Sequence, residues 1–316
     1  MKHIAVPAVL LGAMAAQVGA CDLCAVYSAA EAHGEIGRGI YAGAAEQFTH
    51  FATLQEEGNV IPDEASQRLD SSITQIFAGY NFSHRVGMQL NVPLISRTFK
   101  RAEGFDIDRG TESGLGDILL TAHLNAYRSE EMERTFSWNL LTGVKFPTGD
   151  SGRIAEELGE DEVPGAPESG VHGHDLALGS GSVDGLIGSS VYARWKRVFI
   201  GASVQYAIRT EGDYDYQFAN DLTWAGGPGI LLALNDDYTL SLQANCTGET
   251  KGKDTLAGED AADTGITSLF LGPELIASWK DKLSAELGFD LPVSIDNTAV
   301  QLVPDYRVRA ALTWHL

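Results

Sequence analysis

The sequence predicts an all-β chain, a transmembrane up-and-down antiparallel β-barrel of about twelve strands. Three observations carry that reading: alternating polarity that recurs to the last residue, connections that are short and long in turn, and aromatic residues gathered at two levels of the strands. The clearest alternation sets Val86, Met88, Leu90, Val92 and Leu94 against Gly87, Gln89, Asn91 and Pro93. Ile118 to Ala126, Phe136 to Val144, Leu240 to Cys246 and Leu283 to Leu291 repeat it. A period of two places one apolar and one polar face on each strand.

Strands are expected over 39–55, 69–82, 85–96, 115–128, 135–147, 182–195, 198–209, 221–234, 238–248, 266–279, 283–293 and 304–316. Their number is even, as single-chain bacterial barrels require. Short links at 83–84, 129–134, 196–197, 235–237 and 280–282 fall between longer ones at 56–68, 97–114, 148–181, 210–220, 249–265 and 294–303. Periplasmic turns and extracellular loops sort themselves this way, which puts both chain ends on the periplasmic side. Trp138, Trp195, Trp279 and Trp314 take the apolar phase near short links or the C-terminus; Trp224, Phe146, Tyr206 and Tyr306 take it near long ones. Amphipathic rings favour the two water boundaries of a membrane. Pro228 and Pro273, each beside glycine, mark expected local bulges.

The ends agree with export to a bacterial outer membrane. Lys2 and His3, the apolar run Ile4–Ala16 and the small residues up to Ala20 predict a signal peptide over 1–20. Residues 21–38 are then a periplasmic segment or a plug, and 39–316 the barrel. Val18-Gly19-Ala20-Cys21 also has the form of a lipobox, so Cys21 is either acylated or disulfide-bonded to Cys24. The closing run Tyr306, Val308, Ala310, Leu312, Trp314 and Leu316 has the form of the signal read by the barrel-assembly machinery, with Leu316 in place of the usual Phe. Lipid and lipopolysaccharide are the expected surroundings. A formal net charge of −21 argues against nucleic acid as a partner.

Charge on the polar phase has to face the lumen, because lipid would not tolerate it. Lys145, Arg194, Arg209, Arg307 and Arg309 lie there with Glu274, Glu286 and Asp290. Basic residues of strands five to seven oppose acids of strands ten and eleven, so a field across the lumen is expected. The bland alternative is pairing between neighbouring strands. Asp117, Lys145 and Asp184 begin or end strands four, five and six and are expected to form a cross-strand ion cluster at the rim, with Lys145 between the carboxylates.

Three motifs surround that trio: Gly114-Leu115-Gly116-Asp117, Lys145-Phe146-Pro147-Thr148-Gly149-Asp150 and Gly179-Ser180-Gly181-Ser182-Val183-Asp184. With their spacing and the barrel pattern, residues 70–316 resemble the outer-membrane family named for the meta-pathway of phenol degradation. The resemblance implies a transporter admitting aromatic or other small organic compounds.

The connection 148–181 is rich in acids, with Val171-His172-Gly173-His174-Asp175 among them. His172, His174 and Asp175 are a metal set of undefined spacing, and a solvated, mobile loop is the alternative. No Ser-His-Asp arrangement emerges, and neither an enzyme nor a cofactor is expected. The expected function is passive passage of small solutes. A surface-binding or scaffold barrel with a closed lumen and cation-binding loops is the alternative.

Overall fold

The computed structural model describes residues 38–159, 163–235, 237–280 and 282–316. The leader, the segment after it and the Cys21 and Cys24 readings lie outside the described residues, as do Glu160, Asp161 and Glu162.

Alternating polarity becomes twelve long strands. They are β1 Gly39–Glu56, β2 Arg68–Asn81, β3 Val86–Glu103, β4 Ile118–Glu131, β5 Arg134–Phe146 and β6 Asp184–Trp195, then β7 Val198–Ile208, β8 Asp221–Leu234, β9 Tyr238–Lys251, β10 Ile266–Trp279, β11 Leu283–Asn297 and β12 Val300–His315. Each pairs antiparallel with its sequence neighbours, and β12 returns to β1 from Tyr41↔His315 to Glu56↔Val300. Closure leaves none of the twelve barrel strands at a free edge, which is what a strand-built membrane span requires. Among the described residues no helix is long and apolar enough to cross a membrane.

Burial is inverted relative to a water-soluble protein. On β3, Gln89 and Asn91 are buried while Met88, Leu90 and Leu94 are exposed. Asn125, Asn139, Gln205 and Gln243 continue the buried polar layer around the inside. Leu140, Ile187, Ile200, Leu242, Leu275, Leu287 and Leu312 continue the apolar band outside. So continuous an apolar surface would aggregate in water and is stable in lipid. Trp138, Trp195, Trp279 and Trp314 are exposed toward the short-turn end, and Phe146 and Trp224 toward the other.

At the long-loop end the structure departs from the expected connections. The stretch 97–114 is a hairpin: β3 runs on to Glu103 and returns through Asp106–Leu115, paired from Glu103↔Asp106 to Leu94↔Leu115. The stretch 294–303 is mostly strand too, since β11 reaches Asn297 and β12 starts at Val300. Above the lipid both faces of a strand are wet, so the alternation fades while the ladder continues. The two prolines bring no bulge. Around Pro228 the β8–β9 ladder skips from Gly226↔Cys246 to Gly229↔Gln243 in register, and around Pro273 the β10–β11 ladder skips from Leu271↔Leu291 to Glu274↔Gly288. Omitting rungs accommodates the missing N–H without displacing the strand.

Over its described residues, the connection between β5 and β6 is packed against the barrel and not a solvated acidic loop. It contains a 3-10 turn at Gly152–Gly159 and a helical turn at Gly173–Leu176, and Ile154, Val171 and Leu176 have no exposed surface. Val171 and Leu176 pack on Phe51, Leu54, Leu69, Phe99 and Leu302 of the barrel wall. Leu302 N donates to Gly170 O at 2.8 Å, and Gln67 Nε2 to Glu168 O at 3.0 Å. This connection therefore folds back over the mouth as a lid.

Candidate functional site

Where the lid leaves and rejoins the wall, the three glycine-bearing motifs meet. Gly116 N donates to Pro93 O at 2.9 Å, which ends the returning hairpin strand and turns Asp117 inward. The Asp117 carboxylate accepts from Gly149 N and Ser180 N, both at 3.0 Å, and from the Ser180 hydroxyl at 2.9 Å. Gly149 and Gly179 lie backbone to backbone above it. A β-carbon on Gly179 would stand 2.6 Å from the Gly149 carbonyl carbon and 2.7 Å from Asp117 Oδ1. Glycine is required by that approach.

Lys145 Nζ lies 2.8 Å from Asp117 Oδ2 and 2.6 Å from Asp184 Oδ2, and it also contacts the Ser180 hydroxyl. Asp184 accepts from Arg209 Nη1 at 3.1 Å and from Thr210 N at 3.0 Å, while Arg209 reaches Asp221 at 3.9 Å. A buried chain of alternating charge thus runs from the start of β4 to the start of β8. All five side chains are buried, so this is no wet rim. Burial raises the Asp117 carboxyl, but the Lys145 ammonium and the two amides outweigh it and hold the group below the usual carboxylate range.

Deeper in the lumen, Arg309 binds Asp290 through two nitrogens at 2.7 and 3.2 Å and Glu274 at 3.2 Å. Asn245 Nδ2 donates to Glu274 at 2.9 Å. Arg307 stands 3.7 Å from Glu249 and 4.1 Å above the Phe270 ring. Glu286 is buried in the lumen nearer the short-turn end. Arg194, at that end, donates to Thr135 Oγ1 at 2.9 Å and Lys196 O at 3.0 Å. The field expected between opposite walls is therefore largely quenched. Lys145 and Arg209 stand among Asp117, Asp184 and Asp221 on one wall, and Arg309 stands between Glu274 and Asp290 on the other, so each group carries one acid more than its cations and neither wall is left positive. Neighbouring strands lie about 5 Å apart, whereas the lumen is far wider, and Coulomb energy falls with distance.

Between these pairs and the lid lies a cavity of two characters. Phe51, Leu69, Ile73 and Ile95 form one side, and Lys145, Arg209, Ser180 and Lys251 form part of the other. A second cavity, sharing no lining residue with the first, opens at the short-turn end around Tyr41, His123, Tyr192 and Phe199. Buried Gln75, Asn91, Gln205 and Asn245 belong to the layer between them. A reading restricted to charges passed over these amides, although all of them fall on the polar phase.

His172, His174 and Asp175 come together in the lid, joined by two carboxylates that no spacing indicated. His174 Nδ1 is 2.9 Å from Glu157, its Nε2 is 3.4 Å from Asp175, and His172 Nε2 is 3.3 Å from Asp263. Burial disfavours the charged form of His174, but Asp175, Glu157 and Asp263 raise it to about 10. Burial likewise raises Glu157, and the contacts to His174 bring it down to about 2.

Residues 35–171 match the family model described as "Putative MetA-pathway of phenol degradation". The match bears out the resemblance read from the motifs. It begins further upstream than expected and takes in two of the three motifs, stopping before Gly179. Among solved structures, the chain is similar to the COG4313 outer membrane channel from Pseudomonas putida F1, at 13% identity and a TM-score of 0.60, covering 88% of this chain and 96% of that one. It also aligns with the translocator domain of the autotransporter NalP from Neisseria meningitidis, at 12% identity and a TM-score of 0.44, covering 93% of each chain. No curated protein matches the sequence. The likeness to the Pseudomonas channel extends over nearly the whole of both chains and is one of fold.

Proposed function

We propose that this barrel is a channel of the bacterial outer membrane for passive uptake of small organic solutes, with both termini in the periplasm and the lid outside. The cavity beneath the lid carries the reading. A solute with an apolar body and a polar end would lay its body on Phe51, Leu69, Ile73 and Ile95 and its polar end toward Ser180 and Arg209. Aromatic and other compact organic compounds have that form, as the family resemblance suggests. The amide-lined waist then offers hydrogen bonds that a passing solute can exchange one for another. Because Lys145, Arg209 and Arg309 already stand against acids, passage would depend on size and hydrogen bonding more than on net charge.

Liposome swelling tests this. Proteoliposomes holding the folded barrel should admit small aromatic alcohols and monosaccharides faster than empty liposomes, and exclude trisaccharides. Equal rates with and without protein would rule out a channel for these solutes.

A further inference from the structure

The geometry points to a divalent transition-metal site, of the zinc class, formed by Glu157, His174 and Asp263, which fastens the lid to the connection between β9 and β10. One potential ligand atom from each residue lies within 4.8 Å of the others, and among the described residues this is the cluster with that property. The inference does not depend on whether the barrel conducts.

Three features favour an ion over a simple polar contact. First, the donors are an imidazole and two carboxylates, a ligand set that zinc accepts at about 2.0–2.2 Å, which gives donor-to-donor edges of roughly 3.3 Å. The His174–Glu157 pair stands at 2.9 Å, near such an edge, and a ligand atom of Asp263 lies within 4.8 Å of both. Second, charge is unbalanced there. Asp175 adds a third carboxylate beside His174, so Glu157, Asp175 and Asp263 face at most the single charge of a protonated His174, while Arg153 is committed to Glu112 and Glu156 and Lys251 to Asp254. A divalent ion would displace the proton of His174 and leave two of the three carboxylates neutralised in place of one. Third, an outer shell is already in place. Tyr216 stacks on the His174 ring at 6.1 Å, and His172 holds Asp263 at 3.3 Å, as partners that orient ligands do. The imidazole makes a transition metal the better fit than calcium or magnesium, which prefer all-oxygen shells.

The site would do mechanical work. Glu157 and His174 belong to the lid between β5 and β6, and Asp263 to the connection between β9 and β10, so the ion would bridge the mouth.

The test uses the untagged full-length barrel, refolded in detergent and stripped with EDTA. Titration with zinc chloride should show one ion bound per chain. Cobalt chloride should produce the intense visible bands of a low-symmetry, four-coordinate centre. Zinc should also slow proteolysis within 147–183, and calcium at equal concentration should not. Asp263→Asn should weaken zinc binding at least 10-fold, and His174→Ala by more than about 100-fold, the upper range for losing a mere outer partner. Should His174→Ala fail to fold, Asp263→Asn, on a surface connection, decides alone. Absence of zinc binding, binding unchanged in Asp263→Asn, or equal protection by calcium would overturn the site.

Discussion

Lys145 and Asp184 form the terminal rung of the ladder between β5 and β6, and their charges meet 2.6 Å apart in a buried setting. Asp117 completes the cluster from β4's side, so one ammonium joins three strand ends and both roots of the lid. Lys145→Met should destabilise the barrel by about 3–5 kcal/mol, because Asp117 is then left buried without a cation and Asp184 keeps Arg209 alone. Denaturant unfolding in detergent reads that loss. The double variant Lys145→Met with Asp184→Asn should recover part of it, since fewer charges remain uncompensated. A Lys145→Met barrel as stable as the wild type would show that the three groups ignore one another.

The same cluster sets a dependence on acid. Asp117 titrates below the usual carboxylate range in the folded chain. A depressed folded value means that the stabilisation is fully present above the unfolded value, near 3.9, and is lost as pH falls through the lower folded one. The connection 147–183 should therefore become sensitive to an acid-stable protease such as pepsin only below about pH 4. Asp117→Asn should show that sensitivity at higher pH as well. If its pH profile overlays the wild type, Asp117 is not the group responsible.

Arg309 offers the sharpest handle on the lumen. Its removal uncovers Glu274 and Asp290 together, so Arg309→Gln should shift a conducting barrel toward cations. Glu274→Gln leaves Arg309 with one acid and should move it slightly the other way. Reversal potentials in a salt gradient measure both. Identical values in the wild type and both variants would place the conducting path away from this wall.

Orientation can be read on whole cells. Glu168, in the lid, and Lys196, in a tight turn, are both exposed at opposite ends of the barrel. Glu168→Cys should react with an impermeant thiol reagent added outside, and Lys196→Cys should not, each judged against the unsubstituted chain. The reverse pattern would mean that the lid faces the periplasm.

How much could be read beforehand follows from where the information lies. Within a strand, the choice of face repeats every second residue, so Gln89 and Asn91 against Leu90 and Leu94 announced strand, lumen and lipid in one local pattern. Ladder neighbours of a meander are neighbours in sequence, which is why Lys145 could be set between Asp117 and Asp184 from their positions at successive strand ends. Beyond the lipid both aids vanish. The hairpin 94–115 and the extension of β11 have no alternation to show, and the lid's acids concealed Val171 and Leu176, whose burial depends on a wall built by β1, β2, β3 and β12, and Ile154, which packs with Tyr216 of another connection. His174 meets Glu157 across 17 residues and Asp263 across a far longer interval, after four intervening strands. The quenching of the lumen field was likewise a matter of three dimensions, because Arg309 could choose between near acids and distant ones only once the strands stood side by side. Local pattern carried the barrel; side-chain partners separated by many strands were decided by closure, which alone brings such residues within reach of Coulomb and hydrogen-bond forces.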